Sequence, residues 1–339
     1  MRRSWMSVES ASARPSVTVI VAVHNAELYI AETLDSIRSQ TFRDFEVIVV
    51  DDGSTDRTPQ VVARYPEVRY IRQSNQGQPV ARNVGIKAAL GTYVAFLDAD
   101  DLWLPDKLAK QIGYLLKHPE AVWIYTDAVV FDSVKSTTIA RIGEKHKLCD
   151  GMILRQLLLD AFISSPTPVI RRSIFEDLGM FEENPSLRFG EDWNMWLRVA
   201  EKYPVAVIPD VLALIRVHGA NMTGSADPLA VFASKRDIAD SAISRAPDQL
   251  TDLRGRAVSL LAHSAGLRCL RLGRGSDARA MFLEAIRNWP GSFTSYAYLV
   301  IALLPAQFLT RLGGAWRSLF TSRAAHTELV AIRKGGAQA

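Results

Sequence analysis

Val17 to Val23 (VTVIVAV) is a β-branched, apolar run with no polar alternation, the pattern of a strand covered on both faces in a parallel sheet. Leu28, Ile30, Leu34 and Ile37 then recur near a helical period, with Glu27 and Glu32 early and Arg38 late, which suits a helix dipole. Phe45 to Val50 (FEVIVV) predicts a second strand, closed by turn chemistry in Asp51-Asp52-Gly53-Ser54-Thr55-Asp56. The alternation continues with a helix from Thr58 to Tyr65, a strand from Val68 to Arg72, a helix from Pro79 to Leu90 and a strand from Tyr93 to Leu97. Strand and helix in such succession demand an α/β, mostly parallel sheet with right-handed crossovers, whose ligands bind beyond the carboxyl ends of the strands.

After Pro105 the pattern predicts a helix to about Lys117 and a strand from Val122 to Phe131, then a less regular section to about Asn221. From Pro228 onward it is helical, with breaks near Pro247, Gly273 to Gly275, Pro290 and Pro305. Leu261 to Pro290 reads as an antiparallel helix pair hinged at Gly273-Arg274-Gly275, with Ala262, Ala265, Ala278 and Ala285 as small contact residues, like one tetratricopeptide-type hairpin. Three regions follow: a disordered tail over 1–16, an α/β domain over 17–224 and a helical region over 225–339.

Composition adds one asymmetry. Residues 225–339 carry 15 Lys and Arg against 8 Asp and Glu, net +7, whereas residues 1–224 carry 25 against 28, net −3. An acidic front and a basic tail suggest separate tasks. Arg311, Arg317, Arg323, Arg333 and Lys334 flank the apolar YLVIALL and Trp316, Leu319 and Phe320, which suits a helix on an anionic membrane surface or one packed on the α/β domain with a solvated basic face. No stretch reaches the roughly 20 apolar residues of a membrane span, and Met1 to Ser16 lacks the apolar core of a secretory signal. Cys149 and Cys269 are too few for a disulfide scaffold or a four-cysteine zinc site. A cytoplasmic protein, at most peripheral on the inner face of the membrane, is the expectation.

The strongest chemical feature is Asp98-Ala99-Asp100-Asp101, directly after the strand YVAFL. Two carboxylates at i and i+2, where the chain leaves the pleat, can turn toward one cavity and offer hard oxygen ligands to Mg²⁺ or Mn²⁺. The plainer alternative is an acidic loop that caps the next helix through Asp101 or Asp106. Asp51 and Asp52 end another parallel strand and open on the same crevice, where an Asp would accept a base N–H. His24 and Asn25, at the end of the first strand, would line a base or ribose, or Asn25 would only cap the following helix. Neither G-x-G-x-x-G nor G-x-x-x-x-G-K-[ST] occurs, which counts against dehydrogenases and P-loop enzymes. A diphosphate would then need metal and cationic side chains, Arg82 being the nearest candidate. Glu191-Asp192-Trp193 sits at a helix start beside apolar residues, a setting suited to a general base, although Glu191 and Asp192 would equally favour the helix dipole. Arg216 and His218 form a later polar segment that could close over phosphates.

These clusters, in this order, resemble the family 2 glycosyltransferases of the GT-A fold, from about Val17 to Thr223. VTVIVAVHNAELYIAETLDSIRSQTFRDFEVIVVDDGSTD is similar to the family's opening signature, NQGQPVARNVGIKAALGTYVAFLDADD to its middle and FGEDWNMWLRVA to its acceptor-side motif. The resemblance implies a D-x-D motif with Asp98 near the ribose and Asp100 on the metal, and Asp52, with Asp51, at the uracil. It implies Asp192 as catalytic base, Glu191 and Trp193 around the acceptor, and Arg216 and His218 as a late Arg-x-His. His24 departs from the family's commoner Tyr before Asn25. The implied reaction is inverting transfer, with Mn²⁺ or Mg²⁺, from a nucleotide-sugar donor to a hydroxyl of a glycan or lipid-linked glycan acceptor, in bacterial surface polysaccharide synthesis. No nucleic-acid partner is expected. Two other classes fit a similar sheet: a nucleotide-binding adaptor without turnover, and a nucleotidyltransferase, which would release pyrophosphate.

Overall fold

A computed structural model describes residues 14–132, 137–218 and 226–303. The basic positions Arg311 to Lys334 and most of the N-terminal tail lie outside the described residues. Strands β1 (Val17–Val23), β2 (Phe45–Asp52), β3 (Val68–Gln73) and β4 (Tyr93–Phe96) pair in parallel in the order β3-β2-β1-β4. Helices α1 (Ile30–Arg38), α2 (Thr58–Val62) and α3 (Gln78–Ala88) connect them. β1 and β4 are buried along their whole length, which their β-branched and aromatic side chains satisfy. Where α3 crosses β1, a Cβ on Gly85 would lie 2.5 Å from Ile20 Cγ2, so a residue without a side chain lets helix and sheet meet.

Beyond β4 the sheet turns mixed. Among the described residues its full order is β3-β2-β1-β4 followed by β8 (Val169–Arg171), β6 (Trp123–Asp132), β9 (Ala206–Val217) and β5 (Leu102–Trp103), with β7 (Thr137–Arg141) on β6. The two-residue β5 runs antiparallel to β9, and β6 runs parallel to β9. β7 lies antiparallel to β6, and β8 antiparallel to both β4 and β6. Parallel pairing thus fills the first four strands, and the section that reads as irregular supplies the antiparallel β7 and β8 together with β9, which is parallel to β6 and antiparallel to β5. It reads so because β8 is three residues long and β9 shifts register against β6 around Asp127. Helices α4 (Lys107–Lys117), α5 (Ile142–Lys145), α6 (Leu154–Leu159), α7 (Ser173–Leu178) and α8 (Glu191–Lys202) complete this part.

The C-terminal helices are α9 (Pro228–Arg245), α10 (Pro247–Leu250), α11 (Arg254–Arg271), α12 (Gly275–Asn288) and α13 (Phe293–Ile301). Ile238, Ala239 and Ala242 of α9, Leu250 of α10 and Ala257 of α11 belong to the same core as Phe96, Trp123 and Trp196. Position 225 is therefore not a boundary between cores. α11 and α12 turn at Gly273, whose φ of +72° favours glycine, and Ala262, Ala278 and Ala285 are fully buried where they pack.

Lys107, at the start of α4, is wholly buried. Its Nζ donates to Gln111 Oε1 at 2.7 Å and sits 4.2 Å from the Trp103 ring centre. Burial alone holds its pKa well below the ordinary lysine value. Between the lowered and the ordinary value the unfolded chain binds the extra proton, so stability rises with pH across that window. The melting temperature should therefore climb more steeply from about pH 7 to about pH 9 in the native chain than in Lys107→Met. Parallel curves would show that Lys107 keeps its charge in the fold.

Candidate functional site

At the carboxyl ends of β1, β2 and β4 lies a cavity of about 800 Å³, lined by residues from both halves of the sheet and from α8 and α9. On one wall Asp52 organises the backbone. Its Oδ1 accepts the Gln76 N–H and Gln73 Nε2, at 2.8 and 2.7 Å, and its Oδ2 accepts the Gly77 N–H at 2.8 Å. Of about four acceptor positions on a carboxylate, one remains for a ligand. Gly53 permits this loop to close, because a Cβ there would lie 2.8 Å from Asn75 N. Asp51, grouped with Asp52 by the resemblance, does not line the cavity. Successive strand residues face opposite ways, and Asp51 is fully buried, accepting the Ser54 N–H at 2.7 Å and the Tyr70 hydroxyl.

His24 and Asn25 both line the cavity. His24 Nδ1 lies 2.9 Å from the Asp52 carbonyl oxygen. Asn25, at φ 52°, accepts the Thr55 N–H at 2.8 Å, so it fastens the loop after β2 instead of capping α1, which begins at Ile30.

The acidic run after β4 is divided among partners. Asp98 Oδ1 accepts Arg82 Nη2 at 2.8 Å and Gln78 Nε2 at 2.9 Å. Asp100 Oδ2 lies 2.8 Å from His218 Nε2, and the His218 ring stacks on Tyr29 at 4.5 Å. Asp101 Oδ1 accepts the Arg216 backbone N–H at 2.8 Å, while Arg216 Nε donates to the Asp100 carbonyl at 2.7 Å and Nη2 to Glu32 Oε2 at 2.7 Å. Burial, and then the charge of Asp98, raise both Asp100 and Asp101 above the usual carboxylate range. Crowded carboxylates of this kind are relieved by a cation. Among the described residues no group of three or more candidate ligands surrounds one point. Asp98 and Asp100 fit an ion that takes only one or two protein carboxylates and completes its shell with water and substrate phosphate, the habit of Mg²⁺ and its analogues.

Arg82 links this wall to the opposite one. It is 2% exposed, and its Nη1 donates to Glu191 Oε1 at 2.7 Å while Nη2 reaches Asp98 and, at 2.9 Å, Ser165 Oγ. Burial disfavours its charge, but Asp98, Glu191 and Asp192 outweigh that and hold it protonated. Its role is therefore to tie carboxylates together, and both of its terminal nitrogens are engaged within the protein. Glu191 and Asp192 open α8. Asp192 Oδ1 accepts the Trp193 N–H at 2.7 Å, and burial raises its pKa against the pull of Arg82. Trp193 is buried, with its Nε1 on the Leu157 carbonyl at 2.8 Å.

The structure thus brings His24, Asn25, Asp52, Arg82, Asp98, Asp100, Glu191, Asp192, Trp193, Arg216 and His218 to one cavity and leaves Asp51 behind it. Asp101, read from sequence only as a helix cap, is a buried anchor for Arg216. Arg188 and Lys235 also line the cavity. Nothing in their local sequence marks them, since Arg188 is one cation in a polar stretch and Lys235 sits beside Arg236 on the surface pattern of a helix. Replacing Arg82 by Met leaves Glu191 buried without its counter-charge, which should cost about 3–5 kcal/mol in urea unfolding. Arg82→Lys should recover less than half, because one ammonium cannot span both walls. A loss below about 1 kcal/mol in Arg82→Met would contradict the bridging role.

The glycosyl transferase family 2 model matches residues 18–179. An uncharacterized glycosyltransferase of Rickettsia felis is 31% identical over 218 residues, 61% of this chain and 34% of that protein. Uncharacterized glycosyltransferase RT0329 of Rickettsia typhi is 32% identical over 216 residues, 62% of this chain and 67% of that protein. The chain therefore spans about a third of the length of the first of these relatives and two thirds of the second. Among solved structures, S. aureus TarS 1-349 in complex with UDP-GlcNAc has a TM-score of 0.56 at 20% identity, covering 83% of this chain and 91% of that one. Mannosyltransferase PcManGT from Pyrobaculum calidifontis, in complex with GDP-Man and Mn²⁺, has a TM-score of 0.55 at 21% identity, covering 96% and 88%. These structural likenesses carry the fold, which is GT-A. With the family model on β1 to β8 and a relative 32% identical matched over 67% of its own length, the chain belongs to glycosyl transferase family 2.

Proposed function

We propose that this chain is an inverting, divalent-metal-dependent glycosyltransferase that moves a sugar from a nucleotide-sugar donor, first among them a UDP-sugar, to a hydroxyl of a glycan or lipid-linked acceptor. The observation that carries this reading is that Asp98 and Asp100, after β4, and Asp192, at the start of α8, line one cavity. Asp192 acts as general base. Its Oδ1 holds the Trp193 N–H, and among the described residues its Oδ2 has no hydrogen-bond partner, so that oxygen is available for a proton. The acceptor hydroxyl loses its proton to Asp192 as its oxygen attacks the anomeric carbon. The bond from that carbon to the nucleoside diphosphate breaks on the opposite face, and the configuration inverts. One carboxylate suffices, in contrast to the paired carboxyls of hydrolases.

Asp98 and Asp100 would hold Mn²⁺ or Mg²⁺, which when bound stabilises charge on the departing diphosphate. Asp52 and the backbone it orders form the wall for the base, with His24 beside it. The mannosyltransferase solved with GDP-Man and Mn²⁺ and the TarS structures with UDP and UDP-GlcNAc support a nucleotide-sugar donor and a metal, with the base left to experiment. The catalytic unit spans residues 17–224, and the helices after it add to its core. Peripheral contact with an anionic membrane, in the synthesis of a surface polysaccharide, is supported by the exposed Phe293, Val300 and Leu303 along α13 and its end. No helix of the described residues is long and apolar enough to cross a membrane.

A thermal-shift panel of UDP, GDP and dTDP sugars with and without Mn²⁺ tests the donor side, since a ligand of the native state raises the melting temperature. One nucleotide should give a shift that grows with Mn²⁺ in the native chain and loses that growth in Asp100→Asn; a flat panel would defeat the reading. Asp192→Asn should bind the same nucleotide within about twofold yet release nucleoside diphosphate about 10²- to 10⁴-fold more slowly. Because Asp192 must be ionised and burial raises its pKa, the rate should fall with acidification at a pH above the ordinary carboxylate range. Unchanged turnover in Asp192→Asn would remove it from the chemistry.

A further inference from the structure

We propose that the acceptor carries a phosphate group close to its reacting hydroxyl, and that Lys235 of α9 and Arg188 receive it. The inference rests on the glycosyl-transfer reading of the cavity and names the class of acceptor.

The cations of the cavity fall into two sets. Arg82 is held by Asp98, Glu191 and Ser165, and Arg216 by Glu32 and the Asp100 carbonyl, and both are buried. Lys235 and Arg188 line the same cavity, and among the described residues neither has an ion-pair or hydrogen-bond partner. The charge of Lys235 acts on Asp192, drawing its pKa down, and Arg188 is exposed, so neither cation is locked into a buried pair and both can meet an anion of the ligand.

Their position decides which anion. Lys235 runs along Gly190, the residue before Glu191-Asp192: a Cβ on Gly190 would lie 3.6 Å from Lys235 Cε and Cγ. Arg188 comes two residues before Gly190, its guanidinium 4.5 Å from the Phe189 ring centre. The segment is fastened to α9, because Ser234 Oγ accepts the Phe189 N–H at 3.2 Å and donates to the Phe189 carbonyl at 3.3 Å. Lys235 therefore stands near the carboxylate that takes the acceptor's proton, and Arg188 lines the same cavity four residues before it. In an inverting transfer the acceptor and the leaving diphosphate stand on opposite faces of the anomeric carbon, and the diphosphate belongs with Asp98 and Asp100. Groups beside Asp192 thus face the acceptor. An ammonium and a guanidinium together match a phosphate, whose oxygens can take several charge-assisted bonds.

The test uses the full chain saturated with Mn²⁺ and whichever nucleoside diphosphate the thermal panel selects, so that the donor's diphosphate position is filled. Glycerol phosphate, glycerate and glycerol are then titrated calorimetrically. Glycerol phosphate should bind, with glycerate weaker and glycerol undetected. The double variant Lys235→Gln/Arg188→Gln should weaken glycerol phosphate by about tenfold or more, with Lys235→Arg close to the native value. The nucleoside diphosphate itself should bind all variants within about twofold. Three results would overturn the proposal: no binding of glycerol phosphate to the native chain, glycerate bound as well as the phosphate, or equal binding by the double variant. A parallel loss of nucleoside diphosphate affinity would overturn it too, by assigning the two cations to the donor. Failure of every nucleoside diphosphate to bind the native chain would instead sink the glycosyl-transfer reading itself, and this inference with it.

Discussion

A guanidinium does not give up its charge in a protein, so one buried as deeply as that of Arg82 is tolerated only where carboxylates stand beside it, an unpaired buried charge being far costlier than a paired one. Its two terminal nitrogens reach Asp98, at the end of β4, and Glu191, at the start of α8. These positions are far apart in the chain and belong to opposite walls of the cavity. The ion pair therefore sets the distance between the wall that carries Asp100 and the wall that carries Asp192. A separation fixed by a rigid planar fork suits a reaction in which two groups act on opposite faces of one carbon, where small misplacements are expensive.

The same wall is fixed a second time from the far side. β9 returns beside β6 and ends at Arg216 and His218, and the two-residue β5 pairs with it directly after the acidic run. This short antiparallel contact is what delivers the Arg216 N–H to Asp101 and His218 to Asp100. Thr33 of α1 adds a hydroxyl on the carbonyls of Ala99 and Asp101, 2.9 Å from each. A loop held by Arg216 and His218 at the end of β9, by Gln78 and Arg82 of α3 and by Thr33 of α1 is preorganised, so the carboxylates can stay close despite their repulsion.

Much of this was legible in the sequence, and the part that was not has a physical cause. The first four strands declare themselves because strands covered on both faces must be apolar throughout, and the polar clusters at their ends then mark the crevice. Asp52, Asp98 and Asp100 were visible in this way, and Asp192 through its place at a helix start and through the resemblance. The resemblance also grouped Asp51 with Asp52, yet strand alternation turns Asp51 into the sheet toward Tyr70. Arg82 was legible as a cation near the crevice but not as a bridge, since its second partner lies 109 residues away. β5, β8 and the bulged β9 escape a reading by periodicity because they are too short or too irregular to set a pattern.

The helical region carries the remaining lesson. The family model covers residues 18–179, which hold His24, Asn25, Asp52, Arg82, Asp98 and Asp100 of the cavity and stop short of Glu191 and Asp192. Lys235 stands on α9, beyond that match, and α9 is joined to the 188–190 segment through Ser234 and to the central core through Ile238, Ala239 and Ala242. In the proposed reaction most of the side that would meet the donor is thus built from the matched part of the fold, closed by Arg216 and His218 of the later chain, and the side beside Asp192 is finished by a helix outside it. A family likeness can then speak for a sugar nucleotide while saying little of the acceptor, because different stretches of chain contact the two substrates. In the proposed reaction, recognition of the acceptor is a property of how α9 packs, and its chemistry has to be sought in the charges that helix presents.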